Sequence, residues 1–291
     1  MIQTLLALYP GTCLFLFAVF SLLIGSVLNV VIHRLPLMLN TTWRTECHDF
    51  LDIPNAPVTT TVNLFFPRSF CPSCKTTIPF WHNIPLLSYC LLLGRCASCR
   101  QPIPLRYPLV ELLCMLLSLG AFIYFGFTQT LLFALLFIWI VICLGFIDRA
   151  HQLLPDGLTL GLLWLGLIAN TESLFTPLPL AVLSAAGAYV SLWLFIQLFY
   201  WITGKIGMGH GDFKLFAAFG AWFGWTTLPF ILLISSLIGA LFGLTYLKVT
   251  QKPNDTPIPF GPFLCFSGLL TLFYGQTMVQ WYLSYSRVLV V

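Results

Sequence analysis

The sequence predicts an all-α, polytopic membrane protein of about eight transmembrane helices, with one small zinc-ribbon-like loop domain on the cytoplasmic side. Three observations predict it. Hydrophobic residues make up 59% of the 291-residue chain and charged residues only 8%, against roughly 25% charged in a soluble globular domain. So few ionisable side chains cannot solvate a body of this size, so a water-soluble fold is excluded. The apolar residues fall into eight runs bounded by charges, turn residues or aromatic anchors, and about 20 apolar residues are what one bilayer crossing requires. Between the first two runs lies a stretch rich in proline and cysteine. The partner this composition demands is the lipid bilayer, not nucleic acid.

In chain order the runs cover 12–33, 106–127, 130–147, 157–171, 178–203, 213–226, 228–247 and 260–283. They divide the chain into a first transmembrane helix (1–33), a loop domain (34–105) and a membrane core (106–291). No Lys or Arg precedes the first run and Arg34 follows it, the pattern of an anchor with its N-terminus outside rather than of a cleaved leader. That start puts 34–105, 148–156, 204–212 and 248–259 in the cytoplasm. Arg34, Arg44, Arg68, Lys75, Arg95, Arg100, Arg106, Arg149, Lys205, Lys214, Lys248 and Lys252 then fall inside or at the inner boundary, and only Arg287 falls outside. This satisfies the positive-inside rule. The fourth and sixth runs are short for a full crossing, which predicts that they begin below the headgroups or that their turns dip into the bilayer under cover of other helices.

The first loop holds Pro54, Pro57, Pro67, Pro72, Pro79, Pro85, Pro102 and Pro104, a density that opposes long helices. At about 70 residues it is near the size at which a metal staple usefully supplements an apolar core. Cys71-Pro72-Ser73-Cys74 and Cys96-Ala97-Ser98-Cys99 supply such a staple. The two knuckles form an internal repeat, each followed by a basic residue (Lys75, Arg100) and closing on Ile-Pro (Ile78-Pro79, Ile103-Pro104). Two matching half-sites suit one tetrahedral Zn²⁺ held by Cys71, Cys74, Cys96 and Cys99, a closed and therefore structural site. The basic neighbours would offset the negative charge of four thiolates. A membrane thiol–disulfide oxidoreductase is the competing reading of Cys-x-x-Cys. Cys13, Cys114, Cys143 and Cys265 lie in apolar runs and read as plain core or lipid-facing thiols.

Carboxylates are scarce, so each can be weighed. Asp148 follows the third run and Asp212 precedes the sixth, in Gly207-Met208-Gly209-His210-Gly211-Asp212. The plain readings are a solvated loop acid for Asp148 and helix N-caps for Asp212 and Asp156. The topology, however, puts Asp148 and Asp212 at the same depth on the same side. Two carboxylates brought within a few ångströms share one proton, giving a base that activates water and an acid for the leaving amine, which is aspartic-protease chemistry. Gly207, Gly209 and Gly211 offer backbone without side chains, against which a substrate strand can lie. Paired acids in a membrane also serve as proton relays in transporters.

Gly209-His210-Gly211-Asp212 fits the G-x-G-D pattern of membrane aspartic peptidases, and Asp148 with His151-Gln152-Leu153-Leu154-Pro155-Asp156 resembles the first aspartate motif of the prepilin peptidase family. Gly25 to Pro36, the two knuckles, Gly94-Arg95-Cys96 and Arg106-Tyr107-Pro108-Leu109-Val110-Glu111 resemble it as well, in the same order from about residue 20 to 270. His33 and His210 stand where tyrosine is expected, and Val27 where phenylalanine is. The resemblance implies a bifunctional type IV prepilin leader peptidase and N-methyltransferase of the bacterial inner membrane. Such enzymes cut type IV prepilins and pilin-like secretion subunits at the cytoplasmic face, then methylate the new N-terminal amine with S-adenosylmethionine. It implies Asp148 and Asp212 as the catalytic pair and gives no residues for the methyl donor. Glu111, about one turn inside the second run, needs a partner at that depth, for which Arg106 or Arg34 is expected. The rival readings are a signal-peptide-peptidase-like intramembrane protease, which shares G-x-G-D but not the cysteine loop, and a proton-coupled transporter using the two aspartates.

Overall fold

A computed structural model describes residues 9–51, 63–79, 81, 84–205, 207–251 and 258–288; Pro54, Pro57 and Lys252 lie outside these. Among the described residues nine α-helices follow in order: α1 Pro10–Phe50, α2 Leu87–Leu91, α3 Arg106–Phe125, α4 Gln129–His151, α5 Asp156–Ala169, α6 Leu178–Thr203, α7 His210–Phe223, α8 Leu228–Thr250 and α9 Gly261–Val288. The only extended pairing among the described residues is two isolated bridges, Phe70 with Thr77 and Arg95 with Pro102. The chain forms two compact units, residues 1–127 and 128–291.

Among the described residues six helices are long and apolar enough to cross a membrane. The other two that match apolar runs, α5 and α7, have 14 residues each and reach about 21 Å at 1.5 Å per residue, short of the roughly 30 Å hydrocarbon layer. These are the two runs whose length predicts an incomplete crossing. In the first unit, α1 is longer than expected: it continues 17 residues beyond position 33 to Phe50, where the proline count favoured turns. Residues 37–50 contain neither Gly nor Pro, and Pro36 inside the helix removes only one backbone hydrogen bond. The next proline in the sequence is Pro54.

Helix α1 packs on α3 along a stripe of Ser21, Gly25, Leu28, Asn29 and Ile32. A Cβ at Gly25 would come within 2.7 Å of the Glu111 Cα, so only glycine allows the two backbones to approach this closely. At the inner end, Arg34 is 9% exposed, and its guanidinium donates to the carbonyls of Asn63, Leu64 and Pro67. This buried cation ties the far side of the loop back to the first membrane helix.

In the second unit α7 is the buried centre, packed by α5, α6 and α9, with every residue from Leu215 to Phe223 buried. Phe137 of α4 meets Phe219, Trp222 and Phe223 at ring distances of 4.9–5.8 Å. A helix ending inside a membrane bundle must have its last carbonyls paired. Asn170 does this, donating to Ala221 (2.7 Å) and Trp222 (3.1 Å), while the Trp222 indole N–H donates to the Leu162 carbonyl at 2.8 Å. Internal capping thus lets α7 stop short and keeps its first turn at a fixed height.

Candidate active site

Asp148 lies within α4, not in a solvated loop. The helix runs one turn past the apolar segment, closing at Gln152 in the left-handed conformation (φ 52°), whose N–H donates to the Asp148 carbonyl at 2.8 Å. Asp212 is the third residue of α7; Gly209 occupies the N-cap position and no side chain caps the helix. The N-cap reading of Asp212 therefore fails. Both acids are buried, 6% and 8% exposed. Oδ2 of Asp148 and Oδ1 of Asp212 are buried with no hydrogen-bond partner among the described residues. Buried polar atoms are ordinarily satisfied, and these two carboxylate oxygens depart from that rule.

The two carboxylates fall within electrostatic reach of one another, and the Cys265 thiol of α9 within reach of both. Two carboxylates that meet within a few ångströms share a proton, one acting as base while the other is an acid. Gly261, the first residue of α9, forms one wall: a Cβ there would lie 2.5 Å from Asp148 Oδ2. Its signal in the sequence, a Gly-Pro pair opening an apolar run, reads simply as a helix start, and nothing in it points to Asp148.

The three glycines before Asp212 have different surroundings. A Cβ at Gly211 would strike the Leu154 side chain at 2.8 Å, and one at Gly207 would meet the Phe199 ring at 3.1 Å, so both admit neighbouring side chains of the protein itself. At Gly209 the nearest atom would be Asp212 Oδ2, at 3.7 Å; this is the glycine with room beside the carboxylate. Asp156 opens α5 at its first helical position with Pro155 as N-cap, and its carboxylate accepts from Lys214 Nζ at 2.6 Å. This ion pair joins the first turns of α5 and α7. His210 is exposed and sets its ring edge-on to Phe213.

In the first unit the knuckles fold alike. Cys71 N–H donates to Thr76 and Cys96 N–H to Gln101; Lys75 N–H donates to Cys71 and Arg100 N–H to Cys96. Lys75 and Arg100 both adopt the left-handed conformation, at φ 60° and 59°. The sequence repeat is thus a structural repeat. The Sγ atoms of Cys71, Cys74, Cys96 and Cys99 all lie within 4.8 Å of one another, and Cys71 and Cys99, from different knuckles, approach to 3.8 Å. A tetrahedron with metal–sulfur bonds of about 2.3 Å has edges of about 3.8 Å, so the donors fit one ion. The Thr76 hydroxyl and N–H hold the Cys74 thiol down to about 6, and the N–H groups of Cys99 and Ser98 lower Cys96. At Cys99 the Gln101 N–H also lowers, but burial and the neighbouring thiols carry the group up to about 11. Crowded thiols without a cation cannot all ionise.

Glu111 departs from expectation. Its Oε2 accepts the Leu86 N–H at 2.9 Å, and among the described residues it makes no ion pair. Arg34 serves the loop carbonyls instead, and Arg106 lies over the Tyr107 ring at 5.1 Å. Asn29 Nδ2 donates to the Tyr107 carbonyl at 3.0 Å, leaving its Oδ1 buried and unpartnered.

Residues 19–125 match the Bacterial Peptidase A24 N-terminal domain, and residues 135–244 match the Type IV leader peptidase family. A prepilin leader peptidase/N-methyltransferase of Legionella pneumophila is 56% identical over 98% of this chain and 99% of its own. Proteins of the same name from Pseudomonas aeruginosa and Xanthomonas campestris are 46% and 41% identical, over 97% and 96% of this chain and 97% of each relative. No solved structure matches the chain. Full-length identity at this level, in a chain whose membrane core buries two aspartates and whose first unit carries a four-cysteine cluster, leaves one conclusion: the chain belongs to the type IV leader peptidase family.

Proposed function

We propose that the chain is an integral membrane aspartic endopeptidase and N-methyltransferase that removes the leader of type IV prepilins and pilin-like secretion subunits and methylates the new N-terminus with S-adenosylmethionine. The observation that carries the peptidase half is the pair of buried, unpartnered oxygens on Asp148 and Asp212. In this reading a water held between them is deprotonated by one carboxylate and attacks the scissile carbonyl, while the other protonates the departing amine. The substrate strand lies along Gly209, where its backbone groups find partners at the membrane boundary.

The site faces the cytoplasm of a bacterium at its inner membrane, as the distribution of basic residues argues. A substrate whose leader is cytoplasmic and whose following ~20 residues span the bilayer presents its scissile bond at that face. The loop domain (34–105) holds one structural Zn²⁺ on Cys71, Cys74, Cys96 and Cys99, and the membrane core (106–291) holds the peptidase site. Methyl transfer requires a neutral amine held in line with the donor's methyl group, so positioning matters more than a strong base.

The test is Asp148→Asn and Asp212→Asn in membranes, each assayed for prepilin cleavage. Each is expected to lose cleavage while remaining folded. Near wild-type cleavage by either variant removes the dyad. Mass spectrometry of the pilin N-terminus in the same reaction reads cleavage and methylation together.

A further inference from the structure

We infer that Glu111 is the counter-ion for the positive charge of methyl transfer, in a site formed along the α1–α3 seam. A carboxylate inside a membrane helix is expensive and is expected to have a cationic or metal partner. Glu111 lies about 7.5 Å along α3 from Arg106 at 1.5 Å per residue; it is 8% exposed, and no described cation pairs with it. Among the described residues its hydrogen bond comes from the Leu86 backbone. One turn along the same seam, Asn29 is 4% exposed and keeps a buried acceptor, Oδ1, without a donor. Gly25 brings the α1 backbone against Glu111 itself. Among the described residues the seam therefore presents one carboxyl without a cation and one acceptor without a donor, beside the segment that follows the first cysteine knuckle.

A monovalent organic cation offsets the carboxylate, and one that carries an N–H also donates to the Asn29 oxygen. Methyl transfer supplies one at every stage. Before reaction the charge sits on the sulfonium of the donor and the attacking amine is neutral. The nitrogen lone pair forms the new N–C bond, the S–C bonding pair leaves with sulfur as a neutral thioether, and the charge is now on a methylated ammonium. That ammonium later releases a proton to water. One fixed carboxylate can offset the charge at both ends of this path. The inference rests on the methyl-transfer half of the function proposed above.

The substitution that isolates the charge is Glu111→Gln, because a Gln oxygen can still accept the Leu86 N–H. Binding is measured in nanodiscs by calorimetry for S-adenosylmethionine and for S-adenosylhomocysteine, which lacks the positive charge. A second arm compares a cleaved pilin peptide bearing a methylated amine with its N-acetylated form. Wild type is expected to favour the cationic member of at least one pair, and Glu111→Gln to reduce that preference by roughly tenfold or more, with the neutral members little changed. The arm that responds tells whether sulfonium or ammonium is held. Zinc content and leader cleavage by the same preparation report folding. A wild-type protein that prefers neither cation overturns the inference without any variant, as does a folded Glu111→Gln protein with unchanged preferences. A wild-type protein that never methylates a pilin overturns the function on which the inference rests.

Discussion

Gly261→Ala is the sharpest test of the dyad, because it perturbs Asp148 without altering either acid. The added Cβ would sit 2.5 Å from Asp148 Oδ2 and 3.0 Å from its Cγ, where ordinary contact begins at 3.4 Å. The carboxylate, or the start of α9, must therefore yield by about 0.9 Å, the difference between 3.4 and 2.5 Å. Gly261 is not among the positive-φ residues, so alanine introduces no backbone strain of its own. Overpacking by one methyl group costs about 1–3 kcal/mol of stability, which a multi-helix bundle should survive. A displacement near 1 Å in a reacting group costs about 10²-fold in rate, or roughly 2.7 kcal/mol of barrier. The assay is prepilin cleavage in detergent with kcat and KM separated, alongside a thermal melt. Gly209→Ala is the control: its Cβ would stand 3.7 Å from Asp212 Oδ2, ordinary contact, so it should raise KM by crowding the substrate strand and leave the carboxylate in place. A folded Gly261→Ala enzyme that keeps kcat within about threefold of wild type would refute the claim that Asp148 Oδ2 works where it stands, since the geometric step itself predicts about 10²-fold.

Purified protein should contain one zinc per chain by atomic emission; Cys71→Ser with Cys74→Ser should release it and depress methylation before cleavage, and intact methylation in a zinc-free variant would sink that role for the loop. Asn170→Ala strips the buried Ala221 and Trp222 carbonyls of their donor, at about 1–3 kcal/mol for each group left unpaired, and the expected readout is a clear fall in melting temperature. The Asp156–Lys214 pair is partly solvated, 61% and 28% exposed at the side chains, so Lys214→Ala should cost no more than about 1 kcal/mol. Exchanging the two charges together should recover any cleavage lost by the single reversals, unless the pair does not position α7.

How much of this was legible beforehand depended on the kind of signal. The apolar runs fix helix positions because the bilayer imposes a length and forbids unpaired backbone, and α6 begins and ends where its run does, at Leu178 and Thr203. The two short runs were legible for the same reason, but what lets α7 be short was not. Asn170 precedes its carbonyl partners by 51 and 52 residues, and no local pattern links an asparagine after one helix to the end of another. The extension of α1 was missed because proline density was averaged over the loop, whereas each proline acts only on its own turn.

The site divides along the same line. The cysteine cluster was readable because its repeat is local and metal chemistry restricts the spacing; the structure adds that the two knuckles meet, with Cys71 and Cys99 Sγ 3.8 Å apart. Asp148 and Asp212 stood out because charges are rare and topology places them at one depth. Their plain readings, a loop acid and an N-cap, were ordinary and had to be excluded by burial and by the position of Gly209 at the cap. Gly261 and Glu111 mark the limit of such reading. A wall is defined by the atoms it leaves room for, and a counter-ion by the partner it lacks. Sequence carries neither until the backbone is drawn: Arg34 and Arg106 stood near enough in the chain to neutralise Glu111, and the fold sends both elsewhere. Among the described residues no cation meets Glu111, and a cationic partner from outside the chain is what the Glu111→Gln comparison would detect.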